Sequence, residues 1–260
     1  MKMIGLIGGT GFEDPNLFKL IKEKKVSTEF GKPSSTIKIG EIAGKKVALL
    51  SRHGTKHTIN PSNVNYRANI QALKEVGVTK ILSASAVGSL KEEFKPGEFV
   101  FLDQFIDRTT KRQQTFFDKN KVCHISVAEP FCSNLRKNLI QSAKELKFDF
   151  HEKGICVVIE GPRFSTKAES NLFRSWNADI IGMTLVPEVV LAREAEICYA
   201  SISTITDYDV WKEKPVDVES VLKTMKESNS KLQQLIKHVV PLIDEKKDCE
   251  CYHSLDNAFV

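Results

Sequence analysis

Short apolar segments rich in β-branched residues alternate with amphipathic segments through the second half of the chain. Residues 155–159, 178–184 and 197–202 have the composition of buried strands. Between them, residues 166–176 and 187–196 have helical spacing. Strands and helices that alternate in this way form a mostly parallel or mixed sheet with helices on both faces. The sequence therefore predicts an α/β fold.

The first half of the chain continues the pattern. Strands are predicted from residue 4 and at residues 47–51, 78–89 and 98–103, and helices at residues 65–75, 133–147 and 216–243. Residues 104–123 are predicted to form a polar loop. The chain contains no repeat, low-complexity stretch or linker. We therefore expect one domain over residues 1–260, a twisted mixed β-sheet flanked by helices, ending in a charged tail over about residues 244–260.

Composition limits the class of protein. Of the 260 residues, 41% are hydrophobic and 27% are charged, which is typical of a soluble globular protein. No apolar run approaches transmembrane length, and the first residues lack the long apolar segment of a signal peptide, so a cytoplasmic protein without membrane contact is expected. The net charge of +5 is scattered along the chain. It favours a small anionic ligand over a nucleic-acid surface.

The six cysteines predict no metal site. None forms a C-x-x-C pair, and no spacing of cysteine and histidine matches a zinc site. Cys156 and Cys198 lie in apolar strands and are interpreted as packed thiols. Cys249 and Cys251 lie in the charged tail, where packing does not explain them. A disulfide and a reduced, solvated pair are both consistent with this position.

Glycine-rich or basic segments directly follow two predicted strands. The turn Gly8-Gly-Thr-Gly11 follows the first, and Arg52-His-Gly-Thr-Lys-His57 follows the second. Backbone amides in a glycine turn and basic side chains at the carboxyl end of a sheet suit an anion. Taken alone, each segment is also consistent with an ordinary turn.

Two acids, Asp207 and Asp209, follow the strand that begins near Ile197. In an extended conformation residues i and i+2 share a face, so both carboxylates are expected to point the same way. The carboxyl end of a strand in an α/β sheet is where ligands bind. Local sequence alone favours the alternative that both are turn residues.

These strand-end segments together resemble the trimeric purine nucleoside phosphorylase and methylthioadenosine phosphorylase family. The resemblance extends from residue 4 through Trp211 into the last helix. The segments that carry it are Arg52-His-Gly-Thr-Lys-His-Thr, Asp103-Gln-Phe-Ile-Asp-Arg-Thr-Thr, Ala128-Glu-Pro-Phe-Cys, Ile159-Glu-Gly-Pro-Arg-Phe-Ser, Val186-Pro-Glu-Val-Val-Leu-Ala and Thr206-Asp-Tyr-Asp-Val-Trp211. It implies a nucleoside phosphorylase-like fold and a pentosyltransferase activity. The implied reaction is reversible phosphorolysis of 5′-deoxy-5′-methylthioadenosine to adenine and 5-methylthioribose 1-phosphate, in purine and methionine salvage, with adenosine as a further candidate substrate.

The resemblance also implies a set of site residues. The phosphate is expected to contact Thr10, Arg52, His53, Ser85, Ala86 and Thr184. These supply hydroxyls, a guanidinium and a main-chain amide, all suitable partners for an anion. Ser85 and Ala86 depart from the threonine and cysteine that relatives often carry, but Ser85 keeps a hydroxyl.

The nucleoside is expected to contact a second set of residues. Met183 matches a ribose contact, Phe164 matches the position against the purine ring, and Asp209 matches a contact to the exocyclic amine. Asp207 matches a donor to the five-membered ring of adenine, so its carboxyl must be protonated and its pKa raised. The apolar wall around the 5′ group is matched by Val216, Val218, Val221 and Leu222, with His124 contributed by a neighbouring subunit.

Plainer alternatives stand beside these assignments. Met183, Val218 and Leu222 also suit a hydrophobic core, and His124 suits a buried core histidine. The segment Lys212-Glu-Lys-Pro215 is expected to alter the lid over the 5′ pocket.

The family implies a homotrimer, with a dimer of trimers left open. Phosphate is a co-substrate, and no cofactor, metal, nucleic acid or membrane is implied. The rival functions are a 6-oxopurine nucleoside phosphorylase, expected to carry Asn in place of Asp207, and a non-catalytic nucleotide-binding protein on the same fold.

Overall fold

The computed structural model describes residues 2–8, 12, 14, 16–212, 216–246 and 248–260. The strands in chain order are β1 (Met3–Gly8), β2 (Lys19–Lys24), β3 (Ile37–Ile42), β4 (Lys45–Ser51), β5 (Val78–Ser89), β6 (Phe99–Val100), β7 (Gln104–Arg108), β8 (Phe150–His151), β9 (Ile155–Ile159), β10 (Ile180–Gly182) and β11 (Cys198–Asp207). The helices are α1 (Tyr66–Glu75), α2 (Ser133–Glu145), α3 (Lys167–Ser175), α4 (Leu185–Glu194) and α5 (Val218–Leu242).

Strand β5 is the centre of one mixed sheet. The order across the sheet is β2-β3-β4-β1-β5-β10-β9-β7. Strand β11 is outside this order and pairs with β5 along the edge opposite to β1. Strands β4, β1, β5 and β11 are parallel to one another, whereas β10 runs antiparallel to β5. The four parallel strands therefore end at the same edge of the sheet, and the predicted mixed sheet is confirmed.

Helices cover both faces of this sheet. Consecutive residues of β5 point to opposite faces, so Ile81 and Leu82 enter different apolar clusters. The cluster with Ile81 includes side chains of α1 and α4, and the cluster with Leu82 includes side chains of α2 and α5. The apolar stripe predicted for residues 133–147 is buried at Leu135 and Leu139, as expected for a core helix.

Several local predictions were wrong. Residues 104–108 form β7, an edge strand parallel to β9, rather than a loop, and the half-exposed side chains of such a strand lack a buried-strand pattern. The hairpin of β2 and β3 was not predicted, because every residue of β2 is exposed. Ser133 was expected to cap the helix predicted over residues 133–147, but it is the first residue of α2, and Cys132 is the N-cap. The residues of helix α4 start at Leu185, but Val186 has a non-helical backbone (φ −101°, ψ 131°), so the continuous helix begins at Pro187 as predicted.

The charged tail packs against the body of the protein. Cys251 is only 4% exposed, so the expectation that packing cannot explain this cysteine was wrong. The last residues pair with the segment before α2, through a bridge between Cys123 and Phe259 and a bond from the His124 amide to the Ala258 carbonyl (2.8 Å). The tail therefore fixes the backbone of residues 122–124. None of the described helices is long and apolar enough to span a bilayer.

Candidate active site

The parallel strands end at a cavity of about 1310 Å³. Its lining combines strand ends, the segment between β9 and α3, and the first half of α5. Most of the predicted site residues line it: Arg52, His53, Ser85, Ala86, Phe164, Met183, Thr184, Asp207, Asp209, Val218, Val221 and Leu222. Thr10 lies outside the described residues. The sequence therefore identified residues that the fold brings together from distant parts of the chain.

One corner of the cavity is positively charged. Arg52 directly follows β4, is 3% exposed and forms an ion pair with Glu188 of α4, with Nε 2.7 Å from Oε2. It also donates from Nη1 to the Ala84 carbonyl at 3.0 Å. Burial alone would lower the pKa of Arg52, but the adjacent Glu188 carboxylate raises it above its ordinary value. The guanidinium is therefore a fixed cation at the cavity wall.

His53 lies beside this cation as a neutral ring. Its Nδ1 is 2.8 Å from the Ile59 carbonyl, and since a carbonyl only accepts, Nδ1 carries the proton. Burial, followed by the charge of Arg52, lowers the pKa of His53 from 6.5 to about 4. Nε2 of the neutral ring is then an acceptor, so His53 can accept a hydrogen bond from a protonated oxygen of a ligand.

Hydroxyl and amide groups complete this corner. Ser85 and Ala86 lie in β5, and Thr184 is the N-cap of α4, with no side-chain capping bond of its own. All three line the cavity. Arg52, His53, Ser85, Ala86 and Thr184 form what we call the anion corner. Its donor set fits a phosphate-sized anion.

The two acids lie at the end of β11. Asp207 is its last residue and is paired with Gly88, where a Cβ would stand 2.9 Å from Asp207 Oδ1, so a glycine makes room for the carboxyl group. Asp207 accepts hydrogen bonds from the Thr206 hydroxyl and from the Asp209 amide, each at 2.7 Å. Asp209 has a φ of 50°, a left-handed conformation that Asp tolerates. The prediction that an extended backbone directs both carboxylates to one face was wrong, because a turn brings both to the cavity.

Both acids have raised proton affinity. Burial raises the pKa of Asp207, outweighing the two donors that favour its ionised form, and the charge of Asp209 acts in the same direction. Burial also raises the pKa of Asp209, outweighing the Ser170 side chain, which favours the ionised form. The site can therefore hold a proton on a carboxyl group.

A buried arginine holds the backbone on which Phe164 and Met183 lie. Arg112, whose side chain is 1% exposed, donates to the Met183 carbonyl at 2.7 Å and to the Glu160 carbonyl at 2.6 Å. At Gly161, a Cβ would lie 2.7 Å from the Met183 sulfur, so this position must lack a side chain. Arg112 therefore ties together the two strand ends that supply the sulfur and aromatic contacts of the cavity.

The first turns of α5 form an apolar wall. Val218 and Leu222 are 62% and 63% exposed and line the cavity with Val221, so the alternative that they belong to the core was wrong. Val216 does not line the cavity. Of the lid segment, Lys212 is described, and its ammonium lies 3.9 Å from the ring centre of Tyr208, but residues 213–215 lie outside the described residues. His124 is exposed and does not line the cavity of its own chain, so it is not a buried core histidine.

Comparison with known proteins identifies the family. The sequence profile of the phosphorylase superfamily matches residues 3–241. The chain belongs to the phosphorylase superfamily. The S-methyl-5′-thioadenosine phosphorylases of Thermofilum pendens and Pyrococcus horikoshii are each 54% identical to it, over 99% of this chain and 98% of the first protein, and over 100% of both this chain and the second.

Solved structures of superfamily members confirm the predicted nucleoside phosphorylase-like fold. Methylthioadenosine phosphorylase from Schistosoma mansoni in complex with adenine matches with a TM-score of 0.92 at 42% identity, over 97% of this chain and 96% of that chain. A variant of the adenosine/methylthioadenosine phosphorylase from the same organism, in complex with methylthioadenosine, also matches with a TM-score of 0.92 at 42% identity, over 97% and 95% of the two chains.

The sequence reasoning assigned no role to three residues that support this superfamily site. Glu188 and Arg112 are buried around the anion corner and the cavity backbone, and Ser165 lines the cavity. Ser165 and Glu188 belong to the segments that carried the family resemblance, but no local pattern distinguishes them there. Apart from the charge of Arg112, nothing in the sequence around it indicates a role at the site.

A cluster of thiols lies outside the residues that line the cavity. The sulfurs of Cys132, Cys198, Cys249 and Cys251 are all within 4.8 Å of one another, with Cys198 and Cys249 3.3 Å apart. The packed environment expected for Cys156 and Cys198 is confirmed. Because the four thiols come from the N-cap of α2, from β11 and from the tail, spacing along the chain could not reveal the cluster. The expectation that the protein holds no metal stays a prediction.

Proposed function

We propose that this protein catalyses the reversible phosphorolysis of 5′-deoxy-5′-methylthioadenosine. Phosphate forms a bond to the anomeric carbon of the ribose while the bond from that carbon to adenine breaks. The products are adenine and 5-methylthioribose 1-phosphate. The observation that carries the proposal is one cavity that combines an anion corner around Arg52 with two acids, Asp207 and Asp209, whose pKa values are raised by burial.

The anion corner supports the first half of this reaction. Arg52, His53, Ser85 and Thr184 would hold phosphate against the sugar, where its negative charge stabilises an oxocarbenium-like transition state. Phosphate is itself the nucleophile, so no covalent intermediate with the protein is required. The proposed mechanism uses no cofactor or metal.

The two acids support departure of the base. Adenine gains negative charge as it leaves, and a protonated Asp207 aimed at its five-membered ring would neutralise that charge. The Thr206 hydroxyl lies 3.2 Å from the Val87 carbonyl as well as 2.7 Å from Asp207 Oδ2, and it has one proton to donate. When that proton points at Val87, Thr206 accepts one from Asp207, so the ligand-free site has a place for the acid proton.

The identity of the base follows from the same acids. An adenine amine needs an acceptor, and a carboxylate oxygen of Asp209, which lines the cavity, would be one. Two relatives that are each 54% identical to this chain are named S-methyl-5′-thioadenosine phosphorylase. Two solved structures that resemble this chain are complexes with adenine and with methylthioadenosine. A 6-oxopurine nucleoside phosphorylase is the rival, and an aspartate at position 207 rather than the expected Asn disfavours it.

Retention of the whole anion corner disfavours a non-catalytic binder. A protein that only binds a nucleoside has no need of a buried arginine, a neutral histidine and a helix N-cap threonine around an anion. The 5′ wall also fits the proposed substrate, because Val218, Val221 and Leu222 offer apolar contact to a methylthio group rather than a charged one.

The chain is further proposed to act as a homotrimer in the cytoplasm. Val218 and Leu222 are more than half exposed in the single chain, and an apolar wall left open in this way suits closure by a neighbouring copy. The exposed His124 is then available to a neighbour's cavity. Light scattering on purified protein tests the assembly, with a molar mass of three chains expected and a monomer contradicting it.

A substrate panel tests the proposed reaction. Adenine release should require phosphate and should be fastest with methylthioadenosine, slower with adenosine, and slowest as base release from inosine. Preference for inosine would favour the 6-oxopurine rival. Nucleoside binding without any phosphate-dependent release would favour the non-catalytic one.

A further inference from the structure

Glu188 is a fully buried carboxylate that contacts Arg52 but does not line the cavity. It lies in the first turn of α4, four residues after Thr184. Its Oε2 accepts from Arg52 Nε at 2.7 Å, and its Oε1 accepts from Arg52 Nη2 at 2.9 Å. Two parallel bonds of this kind fix the plane of a guanidinium, which a single contact does not.

Glu188 is itself held in one orientation. Oε1 also accepts from the Ser83 hydroxyl at 2.6 Å and from the Tyr199 hydroxyl at 2.8 Å. Ser83 in turn accepts from Arg52 Nη2 at 2.5 Å, so the arginine, the serine and the carboxylate form a closed ring of hydrogen bonds. Such a ring leaves neither Arg52 nor Glu188 free to rotate.

This arrangement commits most of the arginine's donors. Of the five N–H groups of a guanidinium, Nε uses one on Glu188, Nη2 uses one on Glu188 and one on Ser83, and Nη1 uses one on the Ala84 carbonyl. One Nη1 N–H is left without a partner among the described residues. Arg52 lines the cavity, so this is the donor available to an anion there.

Glu188 also connects separate parts of the anion corner. Arg52 follows β4, Ser83 lies in β5 two residues before Ser85, and Thr184 caps the helix on which Glu188 stands. One carboxylate thus joins three elements that each present a phosphate contact. A displacement of about 1 Å at such contacts is enough to cost a reaction roughly 100-fold.

We propose that Glu188 is the positioning residue of the phosphate site. It fixes the Arg52 guanidinium so that a single Nη1 N–H faces the anion, and it sets the distance between Arg52 and the N-terminus of α4. This inference rests on the proposed phosphorolysis and names the residue on which the affinity for phosphate depends. Glu188 touches neither phosphate nor nucleoside.

A buried ion pair that only stabilises the fold is the competing explanation. Breaking such a pair destabilises a protein wherever it lies. Glu194 provides a matched control, because it stands on the same helix, is 3% exposed and accepts from the Thr115 hydroxyl and the Phe116 amide away from the cavity lining. Glu194→Gln removes a buried carboxylate without touching the anion corner.

The test compares Glu188→Gln and Glu194→Gln by steady-state kinetics. Glu188→Gln should raise the KM for phosphate about 10- to 100-fold and leave the KM for methylthioadenosine within about threefold. Glu194→Gln should leave both constants within about threefold, whatever it does to the melting temperature. A folded Glu188→Gln protein with an unchanged KM for phosphate would overturn the proposal. Equal effects of the two variants on that KM would also overturn it.

A double-mutant cycle covers the case in which Glu188→Gln does not fold. Glu188→Asp keeps the charge but shortens the side chain, and it should also raise the KM for phosphate. In an Arg52→Lys background, Glu188→Asp should add little, because the guanidinium that Glu188 orients is absent. Additive effects in that cycle would mean that Glu188 acts independently of Arg52, which would contradict the proposal.

Phosphate binding without nucleoside separates this inference from the proposed function. Inorganic phosphate should raise the melting temperature of the unaltered protein, and Glu188→Asp should need a higher concentration for the same shift. If phosphate stabilises the unaltered protein but no phosphorolysis occurs, the proposed function fails while the role of Glu188 is still measured. If Glu188→Asp responds to phosphate as the unaltered protein does, the role of Glu188 fails.

Discussion

The backbone amide of Asp209 donates a hydrogen bond to Oδ1 of Asp207, with a distance of 2.7 Å from nitrogen to oxygen. The bond closes a turn in which an aspartate side chain caps the amide two residues later. That turn brings two carboxyl groups from the end of β11 into one cavity. The same two aspartates therefore form a turn and line the cavity. The two alternatives for these acids, turn residues or acids that bind a ligand, do not exclude each other.

The pH dependence of the reaction should report on Asp207. Burial raises the pKa of this carboxyl, so its protonated form persists to higher pH than in an exposed aspartate. An essential acid is active below its pKa in the folded protein and inactive above it. The value of kcat/KM for methylthioadenosine should therefore fall on the alkaline side, and Asp207→Ala should retain little turnover. Near-complete turnover of Asp207→Ala would refute the acid role.

His53 should make the stability of the protein depend on mildly acidic pH. The pKa of His53 is lowered from 6.5 to about 4 in the folded protein, so the unfolded chain binds more protons between these values. Stability is then lost as the pH falls from 6.5 towards 4. The loss should be about 2 kcal/mol after allowance for the partial exposure of the ring.

Urea unfolding at several pH values measures this effect. His53→Gln should remove the part of the pH dependence that belongs to the histidine, so the difference in stability between the two proteins should change by about 2 kcal/mol between pH 7 and pH 4. Parallel curves across the whole range would show that His53 is not responsible.

Arg112 should affect turnover through the backbone that it holds. Arg112→Lys keeps the charge, but lysine cannot reach the Met183 and Glu160 carbonyls together from one planar group. The value of kcat/KM should fall roughly 10- to 100-fold. Arg136→Lys is the control, since Arg136 also donates to a backbone carbonyl, that of Glu152, but away from the cavity. Equal activities of the two variants would contradict a specific role for Arg112.

Leu222 should determine preference at the 5′ end of the substrate. Leu222→Ala removes apolar contact that a methylthio group uses and a hydroxyl group does not, so the preference for methylthioadenosine over adenosine should fall roughly tenfold. Leu172→Ala is the control, because Leu172 is also an exposed leucine, at 48%, and does not line the cavity. An unchanged ratio of kcat/KM for the two substrates would remove Leu222 from the 5′ wall.

Patterns within short segments predicted much of this structure. The alternation of strands and helices indicated the fold class, and polar residues directly after apolar strands indicated Arg52, His53, Asp207 and Asp209 as site residues. These features are local, because the apolar residues of a buried strand and the polar residues at its carboxyl end follow one another directly in the sequence. Assigning phosphate and purine roles to them depended on the family resemblance.

The parts that were not predicted depend on distant residues. Arg52 and Glu188 are 136 positions apart, and no pattern near either of them indicates the other. The four clustered thiols come from the N-cap of α2, from β11 and from the tail. The exposed strand β2 has only two apolar residues, Leu20 and Ile21, and they are adjacent, so it lacks the alternation that indicates a strand in a sequence. In each case the information lies in tertiary contacts rather than in local propensity.

The central claim is that a protonated Asp207 selects and activates an adenine base. Asp207→Asn tests it with little disturbance, since an amide can still accept from the Asp209 amide and donate to Thr206. The measurement is the ratio of kcat/KM for methylthioadenosine to kcat/KM for inosine, in the unaltered protein and in Asp207→Asn. We predict that the ratio falls about 100-fold or more, since the acid is lost for adenine while the amide suits a 6-oxopurine. An unchanged ratio in a folded variant would contradict the claim and leave Asp207 as a structural carboxylate.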